Sequence, residues 1–406
     1  MRPADNGRIF CLGPSCRVNG IAYIAGMTVE ISAGLYAHIP FCKNLCLYCD
    51  FYSKIGSGSE IERYLDSLTG EAALLGREYV GYRYDTVFLG GGTPSILEPV
   101  QIRRLFDSLR SAMRISTKAE ITIECNPSSL TSESLENYKA IGINRISLGV
   151  QSFDDRHLRR LGRTHTAAEA RAAFELVRRC GFDNISVDLI YGLPDQTLEE
   201  WTADLDQAIE FGPGHISAYN LIIEDETPFG ELYRRGELDL PPDSFQGEMY
   251  ATLKERLGGA GYARYEISNF ARPGRECRHN LKYWRLEPYI GLGPSAVSSN
   301  LALRWKNKPD LDSYLRSLES GQPPPHETEE LTPEKTRQEY IMLSLRLAEG
   351  LSLDELKTRY DYDLIRERGE SLKALASNEL VVIDGDRVRL ADKGLFISDE
   401  IIVKLI

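Results

Sequence analysis

The stretch LYAHIPFCKNLCLYCDFYS, residues 35–53, passes from a short apolar run into a loop carrying Cys42, Cys46 and Cys49 at CxxxCxxC spacing. An apolar run of this length, closed by Pro40, reads as a buried strand. The same kind of run returns at Thr86 to Leu89, Ile121 to Cys125, Arg145 to Val150, Ile185 to Ile190 and His215 to Leu221. Between them lie amphipathic stretches such as Glu60 to Gly76, Val100 to Met113, Ala167 to Cys180 and Leu198 to Phe211. Their apolar residues fall three or four apart, the mark of helices laying one face on a sheet. Six such repeats between residues 35 and 260 predict an α/β fold with parallel strands, a partial (β/α)6 barrel more readily than a flat doubly wound sheet, although periodicity alone does not separate the two. In either case ligand chemistry belongs at the carboxyl ends of the strands.

Outside the repeats the pattern changes. Residues 1–34 are expected to be a tail: residues 1–26 show neither helical nor strand periodicity, and a strand-like run begins soon after Met27, a candidate start, with no chemistry expected at Cys11 or Cys16. Residues 261–318 hold strand-like pieces, Arg264 to Phe270 and Tyr289 to Ser298, around the block His279 to Trp284, and predict an accessory α+β layer. ESGQPPPHETEE, residues 319–330, is rich in proline and acid and reads as a linker. Helical patterns at Pro333 to Leu347, Leu353 to Tyr360 and Leu364 to Asn378, then VVIDGDRVRL with a turn at Asp384 and Gly385, predict a winged-helix-like domain over 331–406.

Composition narrows the function classes. Of 406 residues, 42 % are hydrophobic and 27 % charged, which excludes disordered and fibrous chains. No apolar run approaches the ~18 residues of a spanning helix. The net charge of −12 opposes bulk attraction to nucleic acid, and the third C-terminal helical stretch mixes acidic with basic residues, so no nucleic-acid partner is expected. Eight cysteines are too few for a disulfide scaffold in a chain this long, which predicts thiolate chemistry in a reducing, cytoplasmic setting.

Three thiolates on one loop can hold three corners of a 4Fe-4S cube and leave the fourth iron open to a small molecule. Structural zinc usually takes four ligands in two close pairs, and no second pair follows. Phe41, Tyr48 and Phe51 would give such a cluster an apolar shell. After the second strand, LGGGTPS offers Gly90, Gly91 and Gly92 for close backbone approach, and no Gly-Lys-Ser follows to make a phosphate loop. Glu124 ends the third strand, Gln151 the fourth, Arg163 follows in its loop, and Asp188 lies in the fifth. An arginine grips a carboxylate bidentately, while Asp, Glu and Gln accept from ribose hydroxyls or an ammonium group.

The cysteine loop resembles that of the radical S-adenosylmethionine (SAM) superfamily, in which the open iron chelates SAM and one electron cleaves it to a 5′-deoxyadenosyl radical. More narrowly, roughly residues 34–400 resemble the oxygen-independent coproporphyrinogen III oxidase family of porphyrin biosynthesis and its HemW-like relatives. The resemblance implies SAM or cluster contacts for Tyr36, Gly90, Gly91, Gly92, Thr93, Glu124, Gln151, Arg163 and Asp188, and a flavodoxin or ferredoxin-type electron donor. YEISNFA, residues 265–271, and HNLKYW, residues 279–284, are further family-like blocks. In the HemW-like branch the second implies heme binding, which makes His279 the candidate axial ligand and Cys277 its alternative.

Two departures favour that branch over the oxidases. The oxidase pattern CxxxCxxCxC meets Phe51 here, and the longer oxidase segment before the barrel has no counterpart. The resemblance therefore implies a heme chaperone that passes heme to acceptor proteins and lacks coproporphyrinogen oxidase activity; the alternatives are that oxidase and a radical enzyme with another substrate. A third departure is Val297, where relatives usually carry histidine. His38 and His165 are expected to pack or cap, Cys125 and Cys180 to be small buried residues, and His157, His215 and His326 to have no function.

Overall fold

A computed structural model describes residues 30–406 in full and, before them, only the backbone of four short strands between Phe10 and Val29. Six strands, Ile31–Ile39, Tyr82–Gly91, Ile115–Cys125, Arg145–Gln151, Ile185–Tyr191 and His215–Asn220, lie side by side in parallel and in chain order. They are the first to sixth barrel strands of a mixed α/β fold. The first and sixth do not pair with each other, so the barrel is open.

The first strand explains why these runs are strands. Ala33, Leu35, Ala37 and Ile39 are fully buried, and Tyr36 and His38 alternate with them toward the opposite face, the period of two that a pleated backbone imposes. The intervening helices are set by local chemistry. Thr166 and Glu169 close a capping box on Ala167–Arg179, Thr197 and Glu200 do the same for Leu198–Phe211, and Gly212 ends the latter at φ +63°. Trp201, fully buried on that helix, donates its indole N–H to the Met249 carbonyl at 3.0 Å and ties it to the helix Asp243–Gly259.

Three expectations change. The residues read as an accessory layer extend the barrel's own sheet: Tyr289–Leu292 pairs in parallel with the first strand, and Val297–Ser299 and Leu303–Asn307 follow antiparallel. The predicted linker supplies the outermost strand, His326–Glu330, antiparallel to Leu303–Asn307. An edge strand needs backbone pairing and no apolar face, so its acidic composition imitates a loop. Before residue 30, the expected tail instead forms a four-stranded antiparallel sheet. The side chains of Cys11, Cys16 and Met27 lie outside the described residues.

Residues 331–406 form helices Pro333–Arg346, Leu353–Tyr360 and Leu364–Ser377, a three-stranded sheet and two short closing helices. The hairpin of that sheet turns at Gly385, φ +57°. These residues share one hydrophobic core with the barrel, and Ala348 N–H donates to the Tyr265 carbonyl at 2.9 Å. No helix among the described residues is long and apolar enough to cross a membrane.

The sheet extension is locked to the barrel by one buried carboxyl. Glu71, on the helix Gly58–Glu78, is 1 % exposed and accepts from Gly293 N–H at 2.7 Å, Asn307 Nδ2 at 2.7 Å and the Tyr314 hydroxyl at 2.6 Å. Burial raises its pKa, while these three donors oppose the rise. Glu71→Ala leaves the Gly293 N–H and the Tyr314 hydroxyl buried without a partner, at about 1–3 kcal/mol each, and Asn307 Nδ2 with only its bond to the Gly293 carbonyl at 2.9 Å. We expect a loss of at least about 2 kcal/mol in urea unfolding monitored by circular dichroism.

Candidate functional site

The loop after the first strand is closed at its base by backbone bonds. Cys42 N–H donates to the Lys54 carbonyl at 2.9 Å, and Lys54 N–H to the Pro40 carbonyl at 2.8 Å. His38 holds it from inside the barrel: its Nε2 donates to the Tyr52 carbonyl at 2.8 Å while Nδ1 accepts the Tyr36 hydroxyl at 3.0 Å. His38 is thus a packed residue, as expected, whose ring pins the returning arm of the loop.

Cys42, Cys46 and Cys49 face one cavity of about 490 Å³ at the carboxyl ends of the barrel strands. Thr93 Oγ1 donates to Cys42 Sγ at 3.4 Å, and Arg163 Nη1 to Cys46 Sγ at 3.7 Å. Burial raises the Cys42 thiol and pushes Cys49 up to about 11. Gly91 and Gly92 form the facing wall. A Cβ on Gly92 would come within 3.0 Å of Cys42 Sγ, and one on Gly91, at φ +107°, within 2.7 Å of the His38 ring. Only glycine lets the second strand lie this close.

The other predicted residues converge on the same cavity. Glu124, Gln151, Arg163 and Asp188 all line it. Glu124 accepts the Gly91 N–H; burial, with Asp188 nearby, pushes its pKa up to about 8. Asp188 accepts the hydroxyls of Ser147 at 2.9 Å, Ser186 at 3.1 Å and Ser217 at 2.7 Å, and burial raises its pKa as well. Gln151 sits where the register between the fourth and fifth strands shifts, with φ +68°, a left-handed backbone that costs a non-glycine residue energy and turns it off the strand end. Arg163 donates Nη2 to the Gly149 carbonyl at 2.7 Å.

Some predicted residues stand elsewhere. Tyr36 and Gly90 lie off the cavity wall; a Cβ on Gly90 would meet Glu124 Oε2 at 3.0 Å, so Gly90 serves the site by leaving room for that carboxyl. Phe51 lines the cavity but is 63 % exposed, so of the expected apolar shell only Phe41 is fully buried. Val297 is on the sheet extension, also off the wall.

His279 lies off the cavity wall. It is 1 % exposed, with Nδ1 bonded to Thr86 Oγ1 at 2.8 Å, Nε2 bonded to the Tyr283 hydroxyl at 2.8 Å, and its ring stacked on Phe88. Burial lowers its pKa to about 3. Neither nitrogen is open to heme iron in this arrangement, and the residue joins the helix Arg278–Trp284 to the barrel strands. The alternative, Cys277, is fully buried with its thiol toward Glu120 at 3.9 Å. Among the remaining residues, His165 donates to the Val150 carbonyl, His215 bonds Ser186 and Tyr265, and His157 bonds Glu200. Cys125 is buried and Cys180 half-buried at a helix end.

Sequence reading missed Tyr219, Asn220 and Ile222, which complete the cavity from the end of the sixth strand. Their signal was positional, the strand-end rule that found Glu124 and Gln151.

The residues present fit an iron-sulfur cluster with a polar ligand beside it. Three thiols from one loop meet a glycine wall that a Cβ would fill. Two buried polar atoms of the same cavity, Arg163 Nε and Asn220 Oδ1, have no protein partner. Buried polar groups are normally satisfied, so these point to a ligand that brings both a donor and an acceptor.

Comparison with known proteins agrees. Residues 36–208 match the model of the Radical SAM superfamily and residues 331–397 that of the HemN C-terminal domain. The chain is 34 % identical over 372 residues to the heme chaperone HemW of Lactococcus lactis subsp. lactis (strain IL1403), covering 91 % of this chain and 96 % of that protein. It is 35 % identical to HemW of Bacillus subtilis (strain 168), covering 90 % and 97 %. In structure it is similar to the coproporphyrinogen III oxidase HemN of Escherichia coli, described as a radical SAM enzyme, with TM-score 0.80, 26 % identity, and 93 % and 90 % of the two chains covered. With its length matched almost end to end by these relatives, the chain belongs to the radical SAM superfamily and, within it, to the HemW family.

Proposed function

We propose that this protein binds heme and hands it to acceptor proteins, carrying a 4Fe-4S cluster on Cys42, Cys46 and Cys49 with SAM beside it. The observation that carries the reading is the convergence of the three thiols with Glu124, Gln151, Arg163 and Asp188 on one cavity, in a chain whose full-length relatives are heme chaperones. When bound, the cluster and SAM supply one-electron chemistry. The chain's own part is to hold them. Thr93 and Arg163 hydrogen-bond two of the sulfurs, which tunes a cluster's potential. Glu124 and Asp188 offer buried carboxyls to ammonium or hydroxyl groups, and Arg163, on the cavity wall, offers its guanidinium to a ligand carboxylate. A flavodoxin or ferredoxin-type donor belongs to the same proposal, and the free thiols support a reducing cytoplasmic setting.

Coproporphyrinogen oxidation is the second reading, favoured by the likeness to HemN. Against it stands Phe51, where the oxidase pattern carries a cysteine. Anaerobically reconstituted protein separates the two. Titration with heme, followed by its Soret band, should give saturable binding, and incubation with coproporphyrinogen III, SAM and a reductant should give no protoporphyrinogen. Efficient conversion, or no saturable heme binding, would overturn the chaperone reading.

A further inference from the structure

The sixth strand runs into a segment, residues 221–240, whose short helix Pro228–Arg234 has no part in the barrel. Leu221, Phe229 and Leu238 of this segment are buried with Leu161, Ile190 and Leu193 in a small hydrophobic cluster separate from the main core. Packed on that cluster are Leu47 and Tyr48, the two residues between Cys46 and Cys49. The backbone joins the same parts. Phe229 N–H donates to the Leu47 carbonyl at 2.9 Å, and Leu47 N–H donates to the Leu161 carbonyl at 3.1 Å. Asn44 Nδ2 adds a bond to the Gly162 carbonyl at 2.8 Å.

Both backbone polar groups of Leu47 are therefore held from outside its own loop. Apart from Phe41 and Tyr52 at its base, the loop has little apolar anchorage of its own, since Leu45, Phe51 and Ile55 are 45 %, 63 % and 63 % exposed. Cys42 is fixed from the barrel side, by the Lys54 carbonyl and Thr93. The half bearing Cys46 and Cys49 relies on the satellite cluster.

We propose that residues 221–240 are a clamp that sets the Cys46–Cys49 half of the loop for metal binding, and that Phe229 is its positioning residue. The proposal rests on the reading of Cys42, Cys46 and Cys49 as cluster ligands. A chelating loop ordered in advance does not have to be ordered on binding, so the clamp raises affinity for the cluster without touching it. Groups that orient metal ligands from behind typically change affinity 10- to 100-fold. The same segment contributes Leu221, Ile222 and Glu224 to the cavity, so what lies over the site also touches the clamp.

The test uses the full chain, as wild type, Phe229→Ala, Phe229→Leu and Leu238→Ala. Two quantities are read: the rate of iron loss from reconstituted protein to a chelator, and hydrogen exchange of the Leu47 amide in cluster-free protein. Phe229→Ala should lose iron about 10- to 100-fold faster and lose Leu47 protection, with exchange in the second barrel strand unchanged; Phe229→Leu should restore both. If Phe229→Ala loses protection throughout the barrel, Leu238→Ala carries the same comparison. Wild-type iron loss in the destabilised variant overturns the proposal, whether or not Leu47 exchange has risen. Failure of the wild type to take up iron and sulfide sinks instead the cluster reading on which the clamp depends.

Discussion

Glu124→Gln is expected to weaken SAM binding about 10- to 100-fold, the worth of a charge-assisted hydrogen bond of about 1.5–3 kcal/mol in a buried site. Glu124 is the group for which burial, the Gly91 N–H and the cavity wall coincide. Its pKa of about 8 adds a second signature. In the ligand-free protein at pH 7 the carboxyl is mostly protonated, and an ammonium or hydroxyl donor favours the ionised form. Binding then expels a proton. As pH falls below 8, this group's contribution to affinity falls by up to tenfold per unit, or 1.36 kcal/mol. Calorimetry at pH 7 in two buffers of different ionisation enthalpy should detect proton release with the wild type and less with Glu124→Gln. Equal affinity and equal proton release in the two proteins would remove Glu124 from the SAM site.

Serine at Cys42, Cys46 or Cys49 should each reduce bound iron from about four per chain to near zero after anaerobic reconstitution. The thiolate is the ligand, and an alcohol neither ionises at neutral pH nor matches iron in softness. Two ligands on a loop exposed at Leu45 and Phe51 do not hold the cube against solvent. Since burial keeps Cys42 and Cys49 protonated in the empty site, cluster uptake must also release protons. Cys125→Ser serves as the control: Cys125 also lines the cavity, but it ends the third strand away from the cysteine loop, and its iron content should match the wild type. Colorimetric iron and sulfide analysis reads all four variants.

What the sequence disclosed and what it hid divide along physical lines. Strand runs were legible because parallel strands buried on both faces read as apolar runs, and the residue after each run then falls at the barrel's open end. That rule singled out Glu124 and Gln151 at strand ends, and the family resemblance gave them, with Arg163 and Asp188, a role beside SAM. The parts the sequence hid depend on partners distant in the chain. His326–Glu330 is held by backbone pairing to Leu303–Asn307, which leaves no apolar signal. His279 lies on a seven-residue helix, too short for periodicity to tell which face is buried, and its partner Thr86 is 193 positions away. The left-handed backbone of Gln151 is set by the register shift between two strands. The clamp around Phe229 is assembled from several separate segments, none remarkable in composition alone.

The central claim is that the three cysteines hold an iron-sulfur cube whose fourth iron opens onto the cavity lined by Glu124, Gln151, Arg163 and Asp188. Electron paramagnetic resonance of the reduced, reconstituted protein, recorded with and without SAM, tests it most directly. A 4Fe-4S signal whose g-values shift on adding SAM is the predicted result; a spectrum that SAM leaves unchanged would contradict the claim.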